Sequence, residues 1–167
     1  MEHITTPAIY VGTWHQYNAG SLYGQWFDLT EFDDKDDFYA ACHALHAGEA
    51  DPELMFQDIE GIPGQFASES SISWSFIDAW KQAFEDGNAA AFVAWSGYTG
   101  RCDYDAFENA YCGEAESEEA FATGQLEDSG ALNEIPEAFR GYFDYEAWAR
   151  DLFLNEYDLV DGYVFSH

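Results

Sequence analysis

The chain has 167 residues and carries 33 Asp+Glu against 5 Lys+Arg, a formal net charge of −28. That balance all but excludes direct nucleic-acid binding and disfavours anionic membranes, because both run on cations facing phosphates. Disorder is excluded too: 47% of the residues are hydrophobic and 19% aromatic, enough apolar surface to form compact cores.

The length suits one domain or a few small subdomains. Glu2 and His3 precede only a short apolar run at residues 7–11, and no apolar stretch approaches the ~20 residues of a membrane span, so a cytosolic location is expected. Cys42, Cys102 and Cys112 form no CxxC pair, and their odd number leaves one thiol outside any bridge.

Residues 7–14 are β-branched and aromatic and read as a strand, and residues 18–21 as a turn. Residues 22–29 read as a second strand, so the chain is expected to open with a hairpin. Asp33 can cap a helix that carries Phe38, Ala41, Cys42 and Leu45 on one face and ends near Gly48. A third strand is expected at 54–59, then a break at 61–64. Ile72, Phe76, Trp80 and Phe84 recur every four residues, which predicts a helix from Ser73 to the stop at Gly87. Shorter helices are expected at 89–95 and 104–111. Ser117 reads as a cap, Pro136 as a helix start, and Asp144 as the cap of a helix bearing Tyr145, Trp148, Ala149 and Leu152. Residues 157–160 and 162–165 read as strands.

Cys42, His43 and His46 have a spacing that zinc could use, but two further ligands at matching spacing are missing. The acidic runs at 33–37 and 103–105 lack the glycine of a calcium loop. A glycosidase would need two carboxylates and aromatic platforms, yet no pair stands out among so many acids. Nothing matches the usual nucleophile, phosphate-loop, dinucleotide or metalloprotease motifs. No cofactor, metal or catalytic residue is expected.

The distribution of charge is the strongest feature. No Lys or Arg lies between Arg101 and Arg140, and that gap holds Asp103, Asp105, Glu108, Glu114, Glu116, Glu118, Glu119, Glu127, Asp128, Glu134 and Glu137. A second concentration, Asp33, Asp34, Asp36 and Asp37, surrounds Lys35. Surfaces usually mix signs to limit self-repulsion, so this one-sidedness costs stability. Solubility or a high-salt cytoplasm would account for it; so would an anionic surface meant for a cationic partner. Duplex DNA carries one charge per ~1.7 Å, so 28 charges match about 50 Å of it, and a dimer roughly twice that.

Residues 7–14 with Tyr17, Asn18, Gly20, Ser21, Gly24 and 26–29 resemble the start of the ArdA-type antirestriction proteins. Residues 50–58 with Glu60 and Gly61, then 68–70 and 72–73, resemble that family's next signature. Residues 130–136 leading to 142–145 and 149–152 are similar to its antirestriction motif. The resemblance implies a non-enzymatic DNA mimic that blocks type I restriction-modification enzymes by meeting the DNA groove of their methyltransferase core, the specificity and modification subunits. It implies an elongated α+β chain of three small subdomains: a sheet and helix at 1–61, a helical middle at 62–109 and a mixed piece at 110–167. The acids named above would then stand in for phosphates. The family's C-terminal homodimer contact would fall on Phe139, Tyr142, Phe143 and Tyr145. The alternative is an acidic interaction protein that inhibits another basic partner.

Overall fold

The computed structural model describes residues 4–167. Glu2 and His3, which entered the reading of the chain's start, lie outside the described residues. The chain is α+β and divides into two compact units, one running to Tyr104 and the other from Asp105 to His167.

In the first unit, strand β1 (Ala8–Thr13) runs into a short helix α1 (Trp14–Asn18) and returns as β2 (Gln25–Asp28). The hairpin is antiparallel, with Ala8 opposite Asp28 and Val11 opposite Gln25. The expected second strand is shorter than the reading because residues 22–24 have no ladder partner and Leu29–Glu31 turn as a 3-10 helix. Helix α2 (Lys35–Leu45) follows, then β3 (Leu54–Glu60), which pairs with the other side of β1 to give the order β2-β1-β3.

The cap of α2 is Asp34 rather than Asp33: its carboxylate accepts from the Asp37 N–H at 2.8 Å. Phe38 lies one turn inside α2, is fully buried, and touches Phe27, Phe32, Phe56 and Trp74 with ring centroids 5.5–6.1 Å apart. That one ring joins sheet, α2 and the next helix. Helix α3 (Trp74–Glu85) starts at Ser73, whose hydroxyl accepts from the Phe76 N–H. Phe76 and Trp80 are buried as the four-residue spacing requires, but Phe84 stacks on Trp80 with its outer face in water. Helix α4 (Ala89–Thr99) is apolar all round and accordingly central, ending at Gly100 in the left-handed conformation. Phe66, Phe76 and Phe92 stack in series at 5.0 and 5.5 Å.

A buried polar set ties α2 to β1. His46 Nε2 lies 3.3 Å from the Val11 carbonyl, and its Nδ1 faces the Glu49 carboxylate at 3.6 Å. The fully buried Thr13 hydroxyl donates to the same carboxylate at 2.9 Å.

Helix α5 (Tyr104–Ala110) leads from Tyr104, at the end of the first unit, into strand β4 (Tyr111–Glu114). The helix ends one residue short of the expected 104–111, because Tyr111 opens the strand, which pairs with β6. Then come α6 (Glu118–Ser129), α7 (Glu137–Arg140), α8 (Tyr145–Asn155), β5 (Tyr157–Val160) and β6 (Tyr163–Ser166). The second sheet has the order β4-β6-β5, antiparallel throughout. Asp161 and Gly162 both have positive φ, 52° and 88°, the backbone of a tight two-residue hairpin turn. Helices α6 and α8 pack through Ala122, Ala149, Leu152 and Phe153 onto Val164, with Phe121 and Tyr157 closing the edge. The caps are Ser117 and Asp144, as the sequence predicts.

Gly61 closes the turn after β3 at φ +72°, and a Cβ there would lie 2.7 and 2.8 Å from the carbonyl oxygens of Thr5 and Thr6. Gly61→Ala should therefore cost about 1–3 kcal/mol in denaturant unfolding. Gly48→Ala, where a Cβ would meet nothing within 4 Å, should change stability little.

Candidate functional site

All fifteen carboxylates singled out in the sequence are exposed. Among the described residues no Asp or Glu is buried; Asp28, Glu49 and Asp158 are the partly covered ones. This follows from desolvation: an ionised carboxylate taken out of water needs a partner, and five cations cannot serve so many.

The acids are not scattered evenly. Asp33 and Asp34 precede α2, and Asp36 and Asp37 fill its first turn. Asp103, Asp105 and Glu108 lie before and along α5. Glu114 ends β4, Glu116 follows it, and Glu118 and Glu119 form the first turn of α6. Those first-turn positions are favourable, since the helix N-terminus carries positive partial charge. Glu127 and Asp128 have the opposite placement, in the last turn of α6, where the helix dipole disfavours them. Glu134 sits in the 3-10 turn at 131–134, and Glu137 opens α7.

Folding concentrates part of this charge. A shallow groove of about 700 Å³ is lined by Glu116, Ser117, Glu118 and Glu119 around the start of α6, by Asp144 and Glu146 at the start of α8, and by Arg150 in the middle of α8. Asp144 and Glu146 were not among the expected surface acids. Their only sequence signal is the cap position of Asp144, because the apposition depends on how α6 packs against α8.

Most of the cations contact the chain's own rings and carbonyls. The Lys35 ammonium lies 5.7 Å from the Tyr39 ring centroid, Lys81 lies 5.5 Å over Trp74 and donates to the Phe32 carbonyl, and Arg101 lies 5.5 Å over Trp95. Arg140 donates to the carbonyls of Ile135 and Asn133. Arg150 pairs with Asp151 at 3.2 Å.

The rings expected at a dimer contact separate into two kinds. Phe139 and Tyr142 are 61% and 86% exposed. Phe143 and Tyr145 are half-buried against each other at 5.0 Å, with Trp148 beside them. Leu154, 69% exposed on α8, adds an apolar group that the sequence reading missed, although its helical phase, opposite the face of Tyr145, Ala149 and Leu152, signals exposure.

Cys42 and His46 are buried while His43 is exposed, so the zinc-like trio does not converge. Among the described residues no group of three or more His, Cys, Asp or Glu could hold a metal ion. No helix of the described residues is long and apolar enough to cross a membrane.

Comparison with known proteins gives one family. The model for the antirestriction protein (ArdA) family matches residues 9–165. No curated protein matches the chain.

Burial pushes the Cys42 thiol up to about 12 from its usual 9.0. It therefore stays protonated well above neutral pH, and a thiol reagent at pH 8 should label the exposed Cys112 while sparing Cys42 until the chain unfolds. Between pH 9.0 and about 12 the unfolded chain loses this proton first, so stability should fall as pH rises through that window.

Proposed function

This chain belongs to the ArdA family of antirestriction proteins, and from that premise we propose that it is a non-enzymatic mimic of duplex DNA. Its target is the DNA groove of a type I restriction-modification methyltransferase core, where the carboxylates meet the Lys and Arg of the specificity and modification subunits. The observation that carries the reading is the exposure of all fifteen expected carboxylates around cores made of neutral rings. The acids at the last turn of α6 add to it, since they oppose local stability and are retained nonetheless.

The mechanism needs no bond chemistry. A basic groove holds screening anions, and an acidic occupant releases them on binding, which adds affinity at low salt. Long-range attraction speeds the encounter. The charges are already held on helices and strands, so little ordering entropy is lost. Occupying the groove blocks cleavage, and modification too, because both activities read the same DNA. The protein acts in the cytoplasm, where incoming mobile DNA meets these enzymes.

A homodimer extends the anionic surface. Phe139 and Tyr142 are its apolar contact, with Leu154 available on α8 of the same unit. A self-complementary patch of this kind suits a two-fold axis. Sedimentation at moderate salt should show a species of twice 18.9 kDa, and Tyr142→Ser with Phe139→Ser should return it to monomer. A monomer at every concentration in the unaltered chain would remove the dimer from the proposal.

Distributed charge has a distinctive mutational signature. An exposed ion pair contributes only ~0.2–1 kcal/mol, so Glu118→Gln or Asp34→Asn alone should weaken protection of unmodified DNA in a restricting host by less than about tenfold. Neutralising Glu114, Glu116, Glu118 and Glu119 together should cost several such steps. Glu127→Gln with Asp128→Asn should hold or raise the melting temperature while protection falls. Inhibition should weaken steeply with salt and compete with duplex DNA. Loss of all protection from one isolated substitution in a folded chain would mean a discrete site instead.

A further inference from the structure

A second groove lies in the first unit. It has a volume of about 320 Å³ and is lined by Trp14, Tyr39, His43, Glu53, Phe56 and Ser70, among others. Its construction is local in each part. Tyr39 and His43 are four residues apart, so they stack on one face of α2. Trp14 donates its backbone N–H to the Glu53 carbonyl at 3.0 Å, which holds the indole residue beside the start of β3. The Phe56 N–H donates to the Glu69 carbonyl at 2.8 Å, bringing Ser70 to the rim. Phe56 is 3% exposed and forms the floor, 6.3 Å from the Tyr39 ring, while Trp14 and Tyr39 are half-buried walls and Glu53 is exposed.

We propose that this groove receives the guanidinium of an arginine side chain on a protein partner. Two observations favour that occupant over an apolar one. The walls offer aromatic faces, and Glu53 supplies a carboxylate that can accept from the planar N–H fork. The chain itself places a guanidinium on an indole elsewhere, with Arg101 5.5 Å from the Trp95 centroid. The assignment rests on the reading of the protein as the occupant of a basic groove, and it adds to that reading a contact with side-chain specificity. Undirected negative charge attracts lysine and arginine about equally; a carboxylate matched to the planar fork beside an aromatic wall favours the guanidinium.

The test is a nuclear magnetic resonance titration of the full chain with capped arginine amide, lysine amide and leucine amide at one fixed salt concentration. Arginine should shift the Trp14 indole N–H together with Glu53 and His43, and should bind roughly two- to fivefold tighter than lysine. Tyr39→Leu should abolish the preference. Glu53→Gln, at an exposed position, should weaken arginine binding with the fold intact and keeps the test open if Tyr39→Leu unfolds. Equal binding of lysine, equal shifts with leucine, or arginine shifts confined to the 114–119 region would overturn the proposal. Protection in a restricting host separates the two ideas: the clustered Gln variants at 114–119 report on charge mimicry, and the amide titration reports on this groove alone.

Discussion

Mutual repulsion among carboxylates is the constraint that shapes this molecule. With 33 acids and 5 bases, pairing cannot neutralise the chain, so each carboxylate needs water around it. The burial pattern obeys that requirement throughout the described residues: no Asp or Glu is buried. The interior has to be built without charge, and it is built from rings. Phe38, Phe76, Phe92 and Phe107 are fully buried, and Phe38 alone meets five other aromatic side chains.

Rings suit this task because each buries a large area in few residues, and edge or offset contacts add to the burial. Two modest cores can then carry a surface that resists compaction. The polar groups that do enter the interior are few and mostly tied to partners. Thr13 and His46 both turn to Glu49, and the Val11 carbonyl takes the other side of the imidazole. Four of the five cations also serve the fold, over Tyr39, Trp74 and Trp95 or on main-chain carbonyls, while Arg150 pairs with Asp151.

The chain belongs to the antirestriction family, and the proposed mimicry would give this charge a purpose. Acids at the helix starts of α2, α6 and α8 are offset by the helix dipole, whereas Glu127 and Asp128 at the end of α6 are not. A chain selected only for stability would reverse that pair. The arrangement therefore fits selection for an outward field, with aromatic burial supplying the stability that the field removes.

Much of this was legible in the sequence, because caps, periods and turns are local. Ser73, Ser117 and Asp144 cap the helices they predict, and the strands at 54–60, 157–160 and 163–166 stand where β-branched and aromatic runs put them. The Asp33 cap misses by one residue, since adjacent aspartates offer the same chemistry and only the helical phase of Phe38 against the sheet selects Asp34. Helix α1 and strand β4 were not foreseen: five residues are too few for a helical period, and Tyr111–Glu114 extends only because β6 supplies a ladder partner about fifty residues on. The same division holds for function. Sequence alone determined that the surface is anionic and the cores aromatic, since both follow from residue counts and the cost of burying charge. Only tertiary packing decided which acids share a groove, setting Asp144 and Glu146 beside Glu116–Glu119, and which rings stay open to a partner, because both depend on contacts between segments distant along the chain.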